Sequence, residues 1–191
     1  MKLEDINKPS IFAELERKGK EIGFNMPSDL YIGSLLKNLI TSKPNSNFLE
    51  LGTGIGLSLS WMLSGMDSGS RMVSVDNDPK LIEIANSFFG NDQRLELICA
   101  NGEEWIVQND LKFDLIFADA WPGKYSLLDE TLAMLNPGGF YMIDDMKEQP
   151  NWPDGHAEKA NSLIEILDSR TDLVFTKLNW STGVIIGTKL L

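Results

Sequence analysis

Short apolar runs alternate with helix-like segments along most of this chain, and no other feature limits its fold so narrowly. The runs fall at residues 48–51, 72–75, 95–99, 113–118 and 140–143. Each has the length of an ordinary strand. The intervening segments, 57–66, 79–89, 103–109 and 125–135, read as helices. Strands alternating with helices form βαβ units and a parallel sheet. Strands apolar on both faces need helices on both sides. Toward the end the pattern changes. Ala160, Leu163, Ile164 and Leu167 mark one more amphipathic helix, and runs 173–176 and 184–187 follow, joined by residues 177–183. A connection that short makes the last pair antiparallel. The expected class is α/β: a doubly wound, Rossmann-like, seven-stranded sheet, mostly parallel with an antiparallel C-terminal hairpin and helices on both faces.

The first 46 residues read as helical. Ile11, Phe12 and Leu15 suggest a short helix after Pro9, with Gly19 and Gly23 breaking the pattern. From Asp29 onward, Ile32, Leu35, Leu36, Leu39 and Ile40 share one helical face. Pro44-Asn45-Ser46-Asn47 ends that helix with turn chemistry. A length of 191 residues suits one domain, 1–191. Seventeen basic against 28 acidic residues leave a net charge of −11. Such a surface repels phosphate backbones, so neither nucleic acid nor an anionic membrane is an expected partner. The single cysteine, Cys99, permits no intrachain disulfide and suits the cytoplasm; within an apolar strand it is expected to be buried and inert. Residues 1–5 do not read as a secretory signal, and no apolar run reaches the length of a membrane span. The single histidine, His156, excludes a multi-histidine metal site within this sequence and reads as a surface or capping residue at a helix start.

In an open α/β sheet, ligands bind beyond the carboxyl ends of the strands. The first strand leads into Glu50-Leu51-Gly52-Thr53-Gly54-Ile55-Gly56-Leu57-Ser58. Glycines there allow a tight turn, and the next helix offers free N–H groups to an anion. Leu57 occupies the place of the third glycine in the dinucleotide fingerprint, which disfavours a nucleotide-dependent oxidoreductase. The second strand leads into Asp76-Asn77-Asp78-Pro79. Asp76 can accept from ribose hydroxyls, while Asp78 and Pro79 fit an N-cap and a first helical residue. Asn101-Gly102 after the third strand can cap a helix or meet an adenine edge. The fourth strand ends in Asp119-Ala120-Trp121-Pro122-Gly123-Lys124-Tyr125 and the fifth in Asp144-Asp145-Met146. Three aspartates at adjacent strand ends are costly unless something positive lies among them. Their oxygen-only chemistry suits Mg²⁺ or another divalent cation; solvated or helix-capping carboxylates are the alternative. Trp152 and Trp180 can wall a pocket or simply pack.

These residues resemble the class I S-adenosylmethionine-dependent methyltransferases, and within them the catechol and caffeoyl-CoA O-methyltransferase group and its bacterial relatives. The resemblance rests on residues 48–58, on Val75-Asp76, on Asp114-Leu115-Ile116-Phe117-Ala118-Asp119, and on Leu135-Asn136-Pro137-Gly138-Gly139-Phe140 leading to Asp144-Asp145. Gly33-Ser34-Leu35-Leu36 before the first strand adds to it. It implies methyl transfer from S-adenosylmethionine to a small-molecule acceptor, at a hydroxyl oxygen. It implies that Glu50, Gly52, Thr53, Gly54 and Gly56 line the cofactor, with Ser58 near its carboxylate. Asp76 and Asn77 would meet the ribose, Asn101 and Gly102 the adenine, and Met26 the methionine end. Asp119 and Trp121 would complete the cofactor contacts, and residues 1–46 would contribute to cofactor and acceptor pockets. Asp119, Asp144 and Asp145 match metal positions of catechol-type members. Two departures stand out. The group has Asp-Asn where this chain has Asp144-Asp145, and its lysine base falls at Pro122. Lys124, two residues on, is then the candidate base, with Asp119 as its catalytic companion. A non-catalytic S-adenosylmethionine-binding protein is the alternative. A nucleic-acid methyltransferase is disfavoured by Asp119-Ala120-Trp121-Pro122 and by the charge. The N-terminal helices could pack on a second copy as a homodimer.

Overall fold

Local sequence signals set most element boundaries. The structure, a computed structural model, describes residues 6–149 and 152–191. Residues 1–5, read above as no secretory signal, lie outside the described residues. The chain divides into two compact units, Met1–Asn101 and Gly102–Leu191.

The first unit holds helices α1 (Phe12–Ile22) and α2 (Leu30–Thr41), then β1 (Asn47–Leu51), α3 (Leu57–Gly65), β2 (Arg71–Asp76), α4 (Pro79–Phe89) and β3 (Leu95–Cys99). Its strands run β3-β2-β1, with β1/β2 and β2/β3 both parallel. Helix starts follow their caps: Asp29 accepts from Tyr31 N at the head of α2, and Asp78 accepts from Lys80 N ahead of Pro79. Gly23 ends α1 in the left-handed conformation, as a terminal glycine should. Gly19 does not break α1; it is buried inside the helix, where a Cβ would sit 3.0 Å from Ile55 Cδ1. Gly33 lets α2 approach α3 so closely that a Cβ would fall 2.3 Å from the Trp61 indole. Phe48, Leu49, Leu51, Leu59 and Trp61 are buried in this core. Burying each such side chain contributes about 1.5–3 kcal/mol. Cys99 corrects the sequence reading: it is exposed, because it ends β3, which has a neighbouring strand only on its β2 side.

The second unit holds α5 (Gly102–Gln108), β4 (Phe113–Ala118), α6 (Leu128–Ala133), β5 (Leu135–Ile143), α7 (His156–Asp168), β6 (Leu173–Leu178) and β7 (Val184–Lys189). Its strands run β4-β5-β7-β6. β4/β5 is parallel, while β5/β7 and β6/β7 are antiparallel. Helix α6 is shorter than the 125–135 read from the sequence. Leu127 takes φ +54 at its head, and residues 121–126 fold into turns closed by Tyr125 N donating to Trp121 O at 2.8 Å. Strand β5 begins earlier than expected, with a register shift against β4 between Phe113, paired with Leu135, and Leu115, paired with Phe140. The expected class is borne out: α/β, Rossmann-like, seven strands mostly parallel, ending in an antiparallel pair. Among the described residues no helix is long and apolar enough to cross a membrane.

Candidate functional site

In the first unit, β1 opens into a turn with three glycines at positive φ. Gly52, Gly54 and Gly56 have φ of 103, 53 and 91°. A Cβ at Gly56 would lie 2.6 Å from the Phe89 ring, so packing and backbone both require glycine there. Asp76, at the end of β2, reaches this turn: its Oδ2 accepts from Gly54 N at 2.8 Å and its Oδ1 from Asp78 N at 2.9 Å. The turn leads into α3, whose first N–H groups receive no side-chain cap. Such an end attracts anionic groups. Glycine turn, Asp76 carboxylate and uncapped helix end thus fit a ligand carrying both hydroxyls and a carboxylate.

Beneath the turn lies a buried polar network. Glu50 is fully buried; Ser58 Oγ donates to its Oε1 at 2.6 Å and Ser74 Oγ to its Oε2 at 2.5 Å. Thr53 Oγ1 and Ser74 Oγ are 2.6 Å apart. Burial pushes the Glu50 carboxyl up to about 7, the two serine hydrogen bonds working against it and the Asp76 charge with it. Glu50, Thr53 and Ser58 therefore brace the turn from inside. Gly52, Gly54 and Asp76 are half-buried, and Asn77, Asn101 and Met26 are exposed, Met26 at 69%.

In the second unit the β4/β5 register pairs Ala118 with Ile143, which sets Asp119 and Asp144 at neighbouring strand ends. Asp144 turns inward and is only 3% exposed. Its Oδ1 accepts from Asp145 N at 2.7 Å and from Thr182 Oγ1. Burial raises its carboxyl to about 6. Lys124 is 5% exposed, and its Nζ donates to the Asp144 backbone carbonyl. Burial lowers the Lys124 ammonium from its ordinary value; Asp119, Asp145 and Asp144 pull the other way. The segment carrying it is held by Tyr141, whose buried hydroxyl donates to Gly123 O at 2.5 Å.

The three aspartates were expected to gather around a cation. Among the described residues, no group of three or more His, Cys, Asp or Glu side chains is placed to hold a metal ion. Asp144 Oδ1 is committed to Thr182 and the Asp145 amide, and the cation nearby is the chain's own Lys124, whose Nζ donates to the Asp144 backbone carbonyl. The residues present do not fit a divalent ion.

The sequence missed His156. It is the first residue of α7, but it neither caps the helix nor stands free on the surface. Its Nε2 lies 3.2 Å from Tyr125 Oη, and its ring meets Trp152, Tyr125 and Trp121 at centroid distances of 4.3, 5.3 and 5.8 Å. Its Nδ1 is buried without a hydrogen-bond partner, and burial lowers its pKa. Trp121, 49% exposed, carries Lys159 Nζ 4.1 Å over its ring. Only the concentration of aromatics near residues 121–125 and 152 hinted at this cluster.

The chain belongs to the methyltransferase domain family, which matches residues 49–146, half of its length and both strand-end regions just described. Family and fold agree with the resemblance to class I S-adenosylmethionine-dependent methyltransferases read from the sequence. A Mycobacterium avium (strain 104) protein, named provisionally as an O-methyltransferase, is 27% identical over 72% of this chain and 64% of its own length. A similarly named Mycobacterium leprae (strain TN) protein is 30% identical over 61% of this chain and 54% of its own. The chain thus spans less than two thirds of those relatives. The O-methyltransferase TomG from Streptomyces achromogenes, solved with SAM, shares the fold at a TM-score of 0.85 and 19% identity, over 98% of this chain and 92% of that one. An O-methyltransferase from Bacillus cereus, solved with SAH, matches at 0.83 and 21%, over 97% and 93%.

Proposed function

We propose that this protein transfers the methyl group of S-adenosylmethionine to a hydroxyl oxygen of a small-molecule acceptor. The observation that carries this reading is the Asp76 carboxylate tied to Gly54 N beside an uncapped helix start. Asp76 accepts from the ribose hydroxyls, with Asn77 beside it and Asn101 toward the base. The α3 N-terminus and the Gly52–Gly54–Gly56 backbone hold the carboxylate end, and Met26 covers it. Bound there, the cofactor supplies an electrophilic methyl carbon on a sulfonium.

The acceptor side is the Asp119, Lys124, Asp144 and Asp145 cluster. An oxygen–methyl bond forms as the sulfur–methyl bond breaks, and the hydroxyl proton must leave the acceptor. Lys124 takes that proton: burial lowers its affinity for a proton, and three carboxylates stabilise the ammonium it becomes. No step in this reading passes through a divalent ion. SAM and SAH in the solved structures of similar fold support the choice of cofactor, and the names of the relatives support oxygen as the target.

The test is transfer of labelled methyl from S-adenosylmethionine to a panel of catechols and simple phenols. Lys124→Met is expected to lower kcat by about 10²–10⁴-fold while leaving S-adenosylhomocysteine affinity unchanged. Cofactor binding with no transfer to any acceptor would instead mark a binding protein.

A further inference from the structure

His156 is the single histidine of the chain, and the proposed methyl transfer gives it no role. It joins two segments of the second unit. One is its own, the head of α7, where Trp152 packs against the ring at 4.3 Å. The other is the turn at residues 121–126. Tyr125 Oη lies 3.2 Å from Nε2, and the Trp121 ring meets the imidazole edge-on at 5.8 Å. These contacts suit a neutral ring. Nε2 serves Tyr125 in either tautomer, and Nδ1 is buried with no partner among the described residues. A second proton turns both nitrogens into donors, and a charged ring then keeps a buried N–H with nothing to accept it. Burial opposes that proton most, and Lys124 from the turn and Lys159 from α7 oppose it too; Asp145, beyond the end of β5, favours it. Lys159 already holds its ammonium 4.1 Å over the Trp121 ring.

We infer that His156 is a positioning residue for the proposed acceptor side: as a neutral ring it latches the 121–126 turn to the head of α7, and a second proton opens that latch. The turn carries Lys124 and is closed within itself by Tyr125 N donating to Trp121 O and Gly123 N to Ser126 O, both at 2.8 Å. Opening the latch removes the support that Trp121 and Tyr125 receive from the imidazole. The latch is fully closed above the ordinary histidine value of 6.5 and is lost as pH falls through the lower value of the folded state. Its effect on turnover rests on the reading of the Asp119–Asp145 cluster as the acceptor side; the latch itself does not.

The experiment is NMR on the full chain, where a single histidine gives a single imidazole signal. Its titration midpoint is expected below 6.5. Amide exchange in the 121–126 turn, corrected for intrinsic rates, is expected to accelerate about tenfold or more as the ring protonates. His156→Phe keeps a packed ring and takes no proton, so its exchange should stay level over the same range. If that variant does not fold, His156→Gln serves the same comparison. A midpoint at or above 6.5 overturns the inference, and so does equal acceleration in the variant that cannot titrate. For turnover, acceptor kcat/KM between about pH 7.5 and pH 5 should fall about threefold or more further in the natural protein than in the variant. A parallel fall in both overturns the positioning role. If the natural chain transfers methyl to no acceptor, the methyl-transfer reading fails, and the exchange measurement still decides the latch.

Discussion

At the scale of single residues, the strongest constraints come from positions whose neighbours are remote in sequence. Gly56 combines φ +91 with a Cβ position 2.6 Å from Phe89. Gly56→Ala is expected to destabilise by about 2–4 kcal/mol, from backbone strain plus overpacking. Urea denaturation measures it, and adding Phe89→Ala should return part of the loss. Glu50 predicts a pH dependence. Its folded pKa, about 7, stands above the ordinary 4.5, so between those values the folded state holds the extra proton. Stability from this group is full below 4.5 and is lost as pH rises through 7. The loss is about 3 kcal/mol at the upper end. Glu50→Gln should flatten the fall in Tm between about pH 5 and pH 8, read by calorimetry. A single residue's environment is also where the sequence was least legible. Cys99 sits in an apolar run yet is exposed, because edge position is a matter of strand order. Lys124 looks like any loop lysine until Asp144 and Tyr141 close around its segment. His156 carries no spacing signal at all; its aromatic partners come from separate segments.

At the scale of elements, legibility was high wherever a local rule operates. Period-3.6 burial and the Asp29 cap place α2, and Asp78-Pro79 places the start of α4. The rule fails where tertiary packing overrides it. Gly19 sits inside α1 because Ile55 lies against it, and Leu127 delays α6 with a positive φ that no propensity foretells. Gly33 shows the same competition with a measurable sign. Glycine to alanine in a helix ordinarily gains about 1 kcal/mol. Here the added methyl would meet Trp61 at 2.3 Å, pushing α2 away from α3. Gly33→Ala is expected to be destabilising by about 1–3 kcal/mol despite the better propensity. Thermal melts give the sign directly, and a raised Tm would mean that the helix pair tolerates the wider spacing.

At the scale of the whole molecule, the alternation of strands and helices sufficed for the fold class, because βαβ units leave few topologies open. The strand-end residues sufficed for the glycine turn and Asp76, since both lie within short sequence reach of the strands that present them. The region proposed as the acceptor side was less legible. It depends on which way Asp144 and Lys124 face, and no pattern of residue types encodes that. The central claim is that the first unit holds S-adenosylmethionine through Asp76 and the glycine turn. Titration calorimetry with S-adenosylhomocysteine tests it most directly. The natural chain should bind one equivalent, and Asp76→Ala, with its fold intact by circular dichroism, should bind about 10–150-fold more weakly, the loss of charge-assisted hydrogen bonds. No binding by the natural chain, or equal affinity in the folded variant, would contradict the account.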